Sequence, residues 1–537
     1  MTGAPALELD VILTGIRFGL DDISRVFLAF TALLWLICGA YAHFYLKGDR
    51  ARTRFFSFYL ASMAGNVGLI LAQDMVSFYL CFALMTFTAY PLVIHDGTPE
   101  ARRAGTVYIV LAVIGEALIV SALILIASEA EGTGFRDIAG AVPASRHRDL
   151  VVALVLAGFG IKAGAIPLHV WLPLAHPVAP TPASAVLSGV IIKAGLLGWI
   201  RFLPLGEAAL PGFGMLCMVV GLAGAFYGVL VGVAQDNPKT VLAYSSISQM
   251  GLMLVAIGTG LAWPQAWGAA AGAVLIYSLH HALNKGALFL GVGVAGSGTV
   301  FLGRGLVTAG LLLPALALAG APFTSGAAAK TALVSLAGDP AVAWPAWVAW
   351  GLSLSSMATA VLMARFCFLV LPAGKDQASA RSRGCLPAWG ILVVLAAAAG
   401  WLLPSMLPMA GGTVAVPAGA VLSALWPVIG GAALFVAARH WIRRSVPALR
   451  IRIPAGDVLA LAEPAACGLC SAWNGLVENA GRLRGSAVER LRRGAGAAAR
   501  LAAAVTAAET RISRWITAGA AFLFLAVLLF RSMSGIG

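Results

Sequence analysis

Apolar stretches of about twenty residues, separated by short polar links, fill most of this chain. About fourteen are long enough to cross a bilayer as helices. They cover residues 26–46, 55–73, 75–95, 106–128, 149–167, 183–203, 211–234, 240–261, 268–295, 306–333, 342–372, 386–408, 415–438 and 515–531. The expected fold is an all-α polytopic membrane protein. Composition agrees: 11% of residues are charged and the mean hydropathy is +0.91, where a soluble domain carries about 25% charged residues. The opening MTGAPALELD has no basic run before an apolar core, so no cleaved signal peptide is expected.

Interruptions of the apolar pattern carry the chemistry. Lys162 lies in VVALVLAGFGIKAGAIPLHVWLP and Lys330 in LLLPALALAGAPFTSGAAAKTALVSLAG. Each is flanked by helix breakers: Gly160, Gly164 and Pro167 around the first, Gly320, Pro322 and Gly326 around the second. A lysine at mid-bilayer costs about 2.5–3.5 kcal/mol on insertion scales. Interrupted helices in matching places of two halves point to an ion site in a repeat-built transporter. This pattern predicts that the chain moves charge across a membrane.

The net charge of +14 could suggest nucleic acid, but its distribution argues otherwise. Alternate numbering of the loops puts Lys47, Arg50, Arg52, Arg54, Arg102, Arg103, Lys239 and Arg304 on one side, with Lys375, Arg381, Arg383, Arg439, Arg443 and Arg444. The other side receives chiefly Arg136, Arg146 and Arg148. By the positive-inside rule the first side is cytoplasmic and both termini face out. Cys467 and Cys470 form a C-x-x-C, yet a redox or metal role needs a thioredoxin-like unit or a second ligand pair, and the sequence has neither.

Further polar residues fall inside the apolar segments. Between 157 and 201 the chain carries Lys162, His169, His176 and Lys193. Its link PLHVWLPLAHPVAPTP is too proline-rich to be expected as helix. Lys193 sits midway along the next helix. Histidine has an ordinary pKa near ~6.5, suited to proton relay. Lys239 stands at a helix end, where a lysine can snorkel. Ser245, Ser246, Ser248 and Gln249 are too polar for a lipid face and are expected in a hydrated interior or bonded across helices. Tyr277, His281 and Lys285 are spaced by four and share one helical face. His280 and His281 point about 100° apart and offer no second ligand pair, so no metal site is expected. Glu116 is the one carboxylate deep in an expected span.

Four motifs resemble the antiporter-like subunits of respiratory complex I, membrane-bound hydrogenases and multisubunit cation/proton antiporters. They are GFGIKAGAIPLHVWLPLAHPVAPTPASAVLSGVIIKAG, QDNPKTVLAYSSISQMG, HALNKGALFL and GAPFTSGAAAKTAL. The resemblance, over about 55–372, implies two inverted five-helix repeats, at 55–203 and 204–372, with Lys162 and Lys330 in broken helices. It further implies an N-terminal helix and loop at 1–54 and two accessory spans at 373–455. A hydrated axis would run through Lys162, Lys193, His281, Lys285 and Lys330, with His169, His176, Lys239, Tyr277 and Ser248 in support. No cofactor would be held by this subunit. Partners would be other antiporter-like and small membrane subunits, a peripheral redox module, and lipid.

Two departures accompany the resemblance. The family places a glutamate where this chain has Ala83, and Glu116 on the following helix is the expected substitute. The stretch GLDDISRVFLAF resembles one that follows two further helices in larger relatives, so the N-terminus reads as short. Residues 456–514 show apolar positions at three/four spacing with arginines between, expected as an amphipathic helix along the cytoplasmic interface, and 515–537 as a terminal anchor. That tail favours a proton-pumping subunit of a redox-driven, inner-membrane complex. A subunit of a sodium/proton antiporter and the proton-conducting partner of an inorganic-carbon uptake system are the alternatives.

Overall fold

The fold comes from a computed structural model, which describes residues 7–9, 16–296, 303–371, 380–406, 418–445 and 453–456. Among them, nine helices are long and apolar enough to cross a membrane. The predicted lateral helix at 456–514, the anchor at 515–531 and the Cys467/Cys470 pair lie outside the described residues.

The first helices are α1 (Asp22–Tyr45), α2 (Arg52–Leu71), α3 (Met75–Val93), α4 (Pro99–Ala127), α5 (Phe135–Ala144) and α6 (Arg148–Ala163). Then come α7 (Trp171–Val178), α8 (Thr181–Val186), a π-helical turn (Leu187–Ile191) and α9 (Lys193–Phe202). The second half holds α10 (Pro211–Val233), α11 (Pro238–Ala262), α12 (Trp267–Gly296), α13 (Gly303–Ala319), α14 (Ser325–Val334) and α15 (Ala346–Val370). Two more follow, α16 (Ala380–Met406) and α17 (Ala418–Ser445). Starts are set by caps: the Asp74 carboxylate accepts from the Val76 and Ser77 amides, and the Asn237 side chain from those of Lys239 and Thr240. Such caps satisfy amides that have no partner inside the helix.

Three expectations need correction. The chain is not wholly α: β1 (Leu7–Leu9) pairs antiparallel with β2 (Ile16–Phe18), Leu7 opposite Phe18. LEL and IRF alternate apolar and charged residues, the strand period. The span expected at 149–167 ends at Ala163, where Gly164 takes the left-handed conformation at φ 73°, one that glycine adopts without steric cost. The proline-rich link contains helix α7. Pro173 falls in its first turn, where an amide has no helical acceptor, and Pro177 at its last.

Burial sorts the helices. Every residue in the apolar window of α11 is buried, and 94% of that in the α8–α9 span, against 11% in α17. A helix buried on all sides has no lipid face, so polar side chains there meet protein. These enclosed helices and α12 carry Lys193, His280, His281 and Lys285, all of them buried. Close crossings bring the elements together. A Cβ on Gly115 of α4 would meet the Gly158 carbonyl oxygen of α6 at 3.2 Å, and one on Gly158 would meet the Gly115 oxygen at 3.1 Å. Small residues on both sides let these backbones approach, as in packed membrane helices.

Candidate functional site

The α4–α6 crossing brings Glu116 and Lys162 within electrostatic reach of each other. Lys162, in the last turn of α6, is 5% exposed and Glu116 1%. They do not close a bond. The ammonium donates instead to the Tyr108 phenol oxygen at 3.3 Å. It lies 5.4 Å from the Phe82 ring centroid and 5.3 Å from that of Tyr108, within cation–π range. Tyr79 and Thr86 of α3 are the polar neighbours of Glu116, though neither carboxylate oxygen has a partner at hydrogen-bonding distance. Ala83 shares the helical face of Tyr79, Phe82 and Thr86 and is itself buried.

A second cluster sits between α9, α11 and α12. Lys193 Nζ is hydrogen-bonded to His281 Nδ1 and donates to the Ser188 carbonyl at 3.1 Å. Lys193 follows the π turn after one residue, Ile192, and the turn's extra residue rotates what comes after it; such turns occur often at functional sites. Lys285, one turn after His281, donates to the Leu242 carbonyl at 2.7 Å. Two serine hydroxyls join these anchors: Ser188 Oγ lies 2.7 Å from Ser246 Oγ, and Ser246 donates to the same Leu242 carbonyl at 3.1 Å. Lys193 and Lys285 both act electrostatically on His281.

The third cluster is at the break between α13 and α14. Lys330 donates to the carbonyl of Ala319, the last residue of α13, at 2.8 Å. A cation at a helix C-terminus is favourable by about 0.3–1 kcal/mol. Gly320, at φ 87°, leaves room for the lysine stem, since a Cβ there would meet Lys330 Cδ at 2.8 Å. His280 Nδ1 is 2.8 Å from Ser325 Oγ on α14, and the charge of Lys330 reaches it. The adjacent histidines thus serve different clusters, His281 facing Lys193 and His280 facing Lys330.

The supporting residues divide. Lys239 donates to the Ala179 carbonyl at 2.8 Å rather than extending to water, and Asp96 is its charged neighbour. His176 stacks on Phe289 with centroids 4.7 Å apart, and the charges of Lys285 and Lys239 act on it. Tyr277 donates to Gln249, whose amide donates to Thr359, tying α12, α11 and α15. Ser248 lies against Gly228 where α10 crosses α11. His169 packs edge-on to Tyr227 at 5.1 Å, beside the break after α6. Among the described residues, Glu116 is the charge acting on Lys162, and no carboxylate acts on Lys193. Tyr108, Ser188 and His280 were not anticipated. The spacing of Tyr108 two turns before Glu116 was the available signal.

Comparison with known proteins sets this geometry in a lineage. The family described as NADH:quinone oxidoreductase/Mrp antiporter, transmembrane, matches residues 72–359. The chain belongs to that family. Hydrogenase-4 component B of Escherichia coli K12 is 33% identical over 287 residues, 51% of this chain and 42% of that protein. The chain therefore spans under half the length of that relative. A Na(+)/H(+) antiporter subunit of Alkalihalophilus pseudofirmus is 29% identical over 60% of this chain and 66% of that protein. A chain from the membrane-bound sulfane sulfur reductase, an archaeal respiratory membrane complex, superposes with TM-score 0.68 at 25% identity, covering 90% of this chain and 88% of its own length. One from the Mrp complex of Dietzia superposes with TM-score 0.64 at 22% identity, covering 80% of this chain and 90% of its own, a likeness of fold. The chain is a multi-pass membrane member of the NADH:quinone oxidoreductase/Mrp antiporter family, and all three clusters fall inside the matched segment.

Proposed function

We propose that this chain is a proton-translocating, antiporter-like subunit of a multisubunit complex in a prokaryotic inner membrane, powered by a redox module in partner subunits. The observation that carries the reading is Lys193 hydrogen-bonded to His281, with Lys285 one turn further along and acting electrostatically on both, all three buried inside the protein. Intramembrane ionisable groups are costly and mark ion pathways by default. Lysine and histidine exchange protons and do not ligate alkali cations, which favours the proton as cargo. Residues 55–203 and 204–372 would act as two half-channels centred on Lys162 and Lys330, with redox cofactors in the partners. Peripheral segments, including 456–514, would contact those partners or the lipid surface from the cytoplasmic side, both termini lying outside.

The test is proton uptake by inverted vesicles from the native host, energised in turn by NADH, formate and hydrogen. Uptake coupled to one donor should fall in a Lys193→Met strain while donor oxidation at that complex slows with it. Undiminished uptake with every donor would remove the redox reading. Donor-independent exchange that requires sodium would assign the chain to sodium/proton antiport instead.

A further inference from the structure

Helix α4 offers Lys162 two oxygen acceptors: the Tyr108 phenol, to which it is bonded, and the Glu116 carboxylate, which acts on it electrostatically. Glu116 and Tyr108 lie on α4 two turns apart, on the same face. Tyr108 spends its hydroxyl proton on the Thr86 carbonyl, 2.8 Å away. Its remaining lone pairs can only accept, and the Lys162 ammonium donates to them. The phenol ring is fixed from behind: Trp171 packs edge-on against it with centroids 5.2 Å apart. The Trp171 indole in turn donates to the carbonyl of Ile161, the residue before Lys162, at 2.7 Å. Tyr108 is therefore a rigid perch tied to the same turn of α6 that carries the lysine.

The charged acceptor has only looser company, the hydroxyls of Tyr79 and Thr86. Both Glu116 oxygens are buried without a hydrogen-bond partner. A buried carboxylate in that condition gains strongly from an approaching ammonium or from a proton. A lysine stem has four rotatable carbons and can change acceptor without any helix moving.

We propose that Tyr108 is a positioning residue for ion transfer: its phenol oxygen is a second acceptor that holds Lys162 off Glu116, and the lysine alternates between the two. This rests on the reading of the Glu116–Lys162 pair as part of the transport path. With the lysine on Tyr108, Glu116 is free to exchange its proton. With the lysine on Glu116, the pair is closed and the half-channel is at rest. Relocating the carboxylate from the Ala83 position to α4 puts it on the helix that carries the perch.

Tyr108→Phe tests this, because it keeps both rings around the ammonium and removes only the oxygen. In the intact complex carrying Tyr108→Phe, Lys162 Nζ should be found about 2.7–2.9 Å from a Glu116 oxygen. A lysine that stays clear of Glu116 in that variant overturns the proposal. Coupled proton uptake should fall by roughly ten- to a hundredfold in Tyr108→Phe. Adding Tyr108→Phe to Glu116→Gln should cost nothing further, since the perch matters only while its rival acceptor is present. An additive loss in the double variant would mark Tyr108 as merely structural and overturn the proposal. The two failures separate: wild-type uptake in Glu116→Gln defeats the transport reading, whereas the lysine's change of partner is read from the structure alone.

Discussion

Lys193 and His281, 88 residues apart in sequence, are hydrogen-bonded to each other at the closed centre of the helical bundle. Lys193 is 1% exposed and His281 0%. The bond exists because a π turn re-aims the lysine and because α12, with both histidines, is enclosed by its neighbours. Among the described residues, no carboxylate acts on either: the groups on His281 are Lys193, Lys285 and His280. A site with several proton-carrying bases and no local counter-charge cannot hold many protons at once. Protonating one member therefore acts on the next, which is the coupling a relay needs.

His281→Ala should break this relay. Lys193 would keep only the Ser188 carbonyl, and Lys285 would lose its neighbour one turn away. Coupled proton uptake should fall roughly a hundredfold, with the complex still assembled, because the change opens space rather than filling it. Near-normal uptake with His281→Ala would remove the histidine from the path and leave the serine string from Ser188 to Ser246 as its connection.

Lys330→Met should disable the second half-channel. The substitution keeps stem volume against Gly320 and removes the charge bonded to the Ala319 carbonyl. Uptake in reconstituted vesicles should drop roughly a hundredfold. Lys330→Arg, which keeps a cation at the α13 terminus, should preserve assembly but not proton exchange, since its guanidinium does not titrate. Wild-type rates in Lys330→Met would confine transport to the first half.

Much of this architecture was legible in the sequence, for identifiable reasons. Hydropathy located α1 to α3, the joint α8–α9 span and α10 to α12 within a few residues because a bilayer demands length and apolarity together. Glycines flanking Lys162 and Lys330 announced the helix breaks. The π turn was not legible, since LSGVI suits an α-helix equally well. Helix α7 was hidden because proline density argues against helix, yet Pro173 sits in the first turn, where proline is tolerated, and Pro177 comes only as the helix ends. Ser245, Ser246, Ser248 and Gln249 did mark α11 as unsuited to a lipid face, and all four are buried. The perch on Tyr108 needed the crossing of α4 over α6, a tertiary fact.

Asp21 gives a pH dependence outside the spans. Burial alone would raise its pKa. The Arg201 guanidinium, 2.6 Å away, and the Ser24 amide and hydroxyl outweigh that and hold it below the ordinary value of 3.8. A lowered folded-state pKa means that the pair stabilises fully above about pH 4 and less as pH falls through the folded value. The thermal midpoint of the wild-type complex should therefore fall more steeply below pH 4 than that of Asp21→Asn, which should already be less stable at pH 7. Parallel curves for the two proteins would show that the Asp21–Arg201 pair contributes nothing.

Moving the carboxylate back should partly restore a first half-channel disabled at Glu116. Glu116→Gln removes the charge that acts on Lys162, and uptake should fall roughly a hundredfold. Ala83 lies on the α3 face that carries Tyr79, Phe82 and Thr86, the residues lining the lysine and the carboxylate. A glutamate there would approach the same ammonium from the opposite helix. The position is buried, so the larger side chain should cost about 1–3 kcal/mol of packing, and recovery should be incomplete. Glu116→Gln combined with Ala83→Glu should regain roughly tenfold over Glu116→Gln alone, at matched amounts of assembled complex. Ala83→Gln in the same background should regain nothing, because it supplies the volume without the charge. Equal rates for the Glu and Gln versions would mean that Lys162 does not need a carboxylate, and that Glu116 serves only to fill its place between α3 and α6.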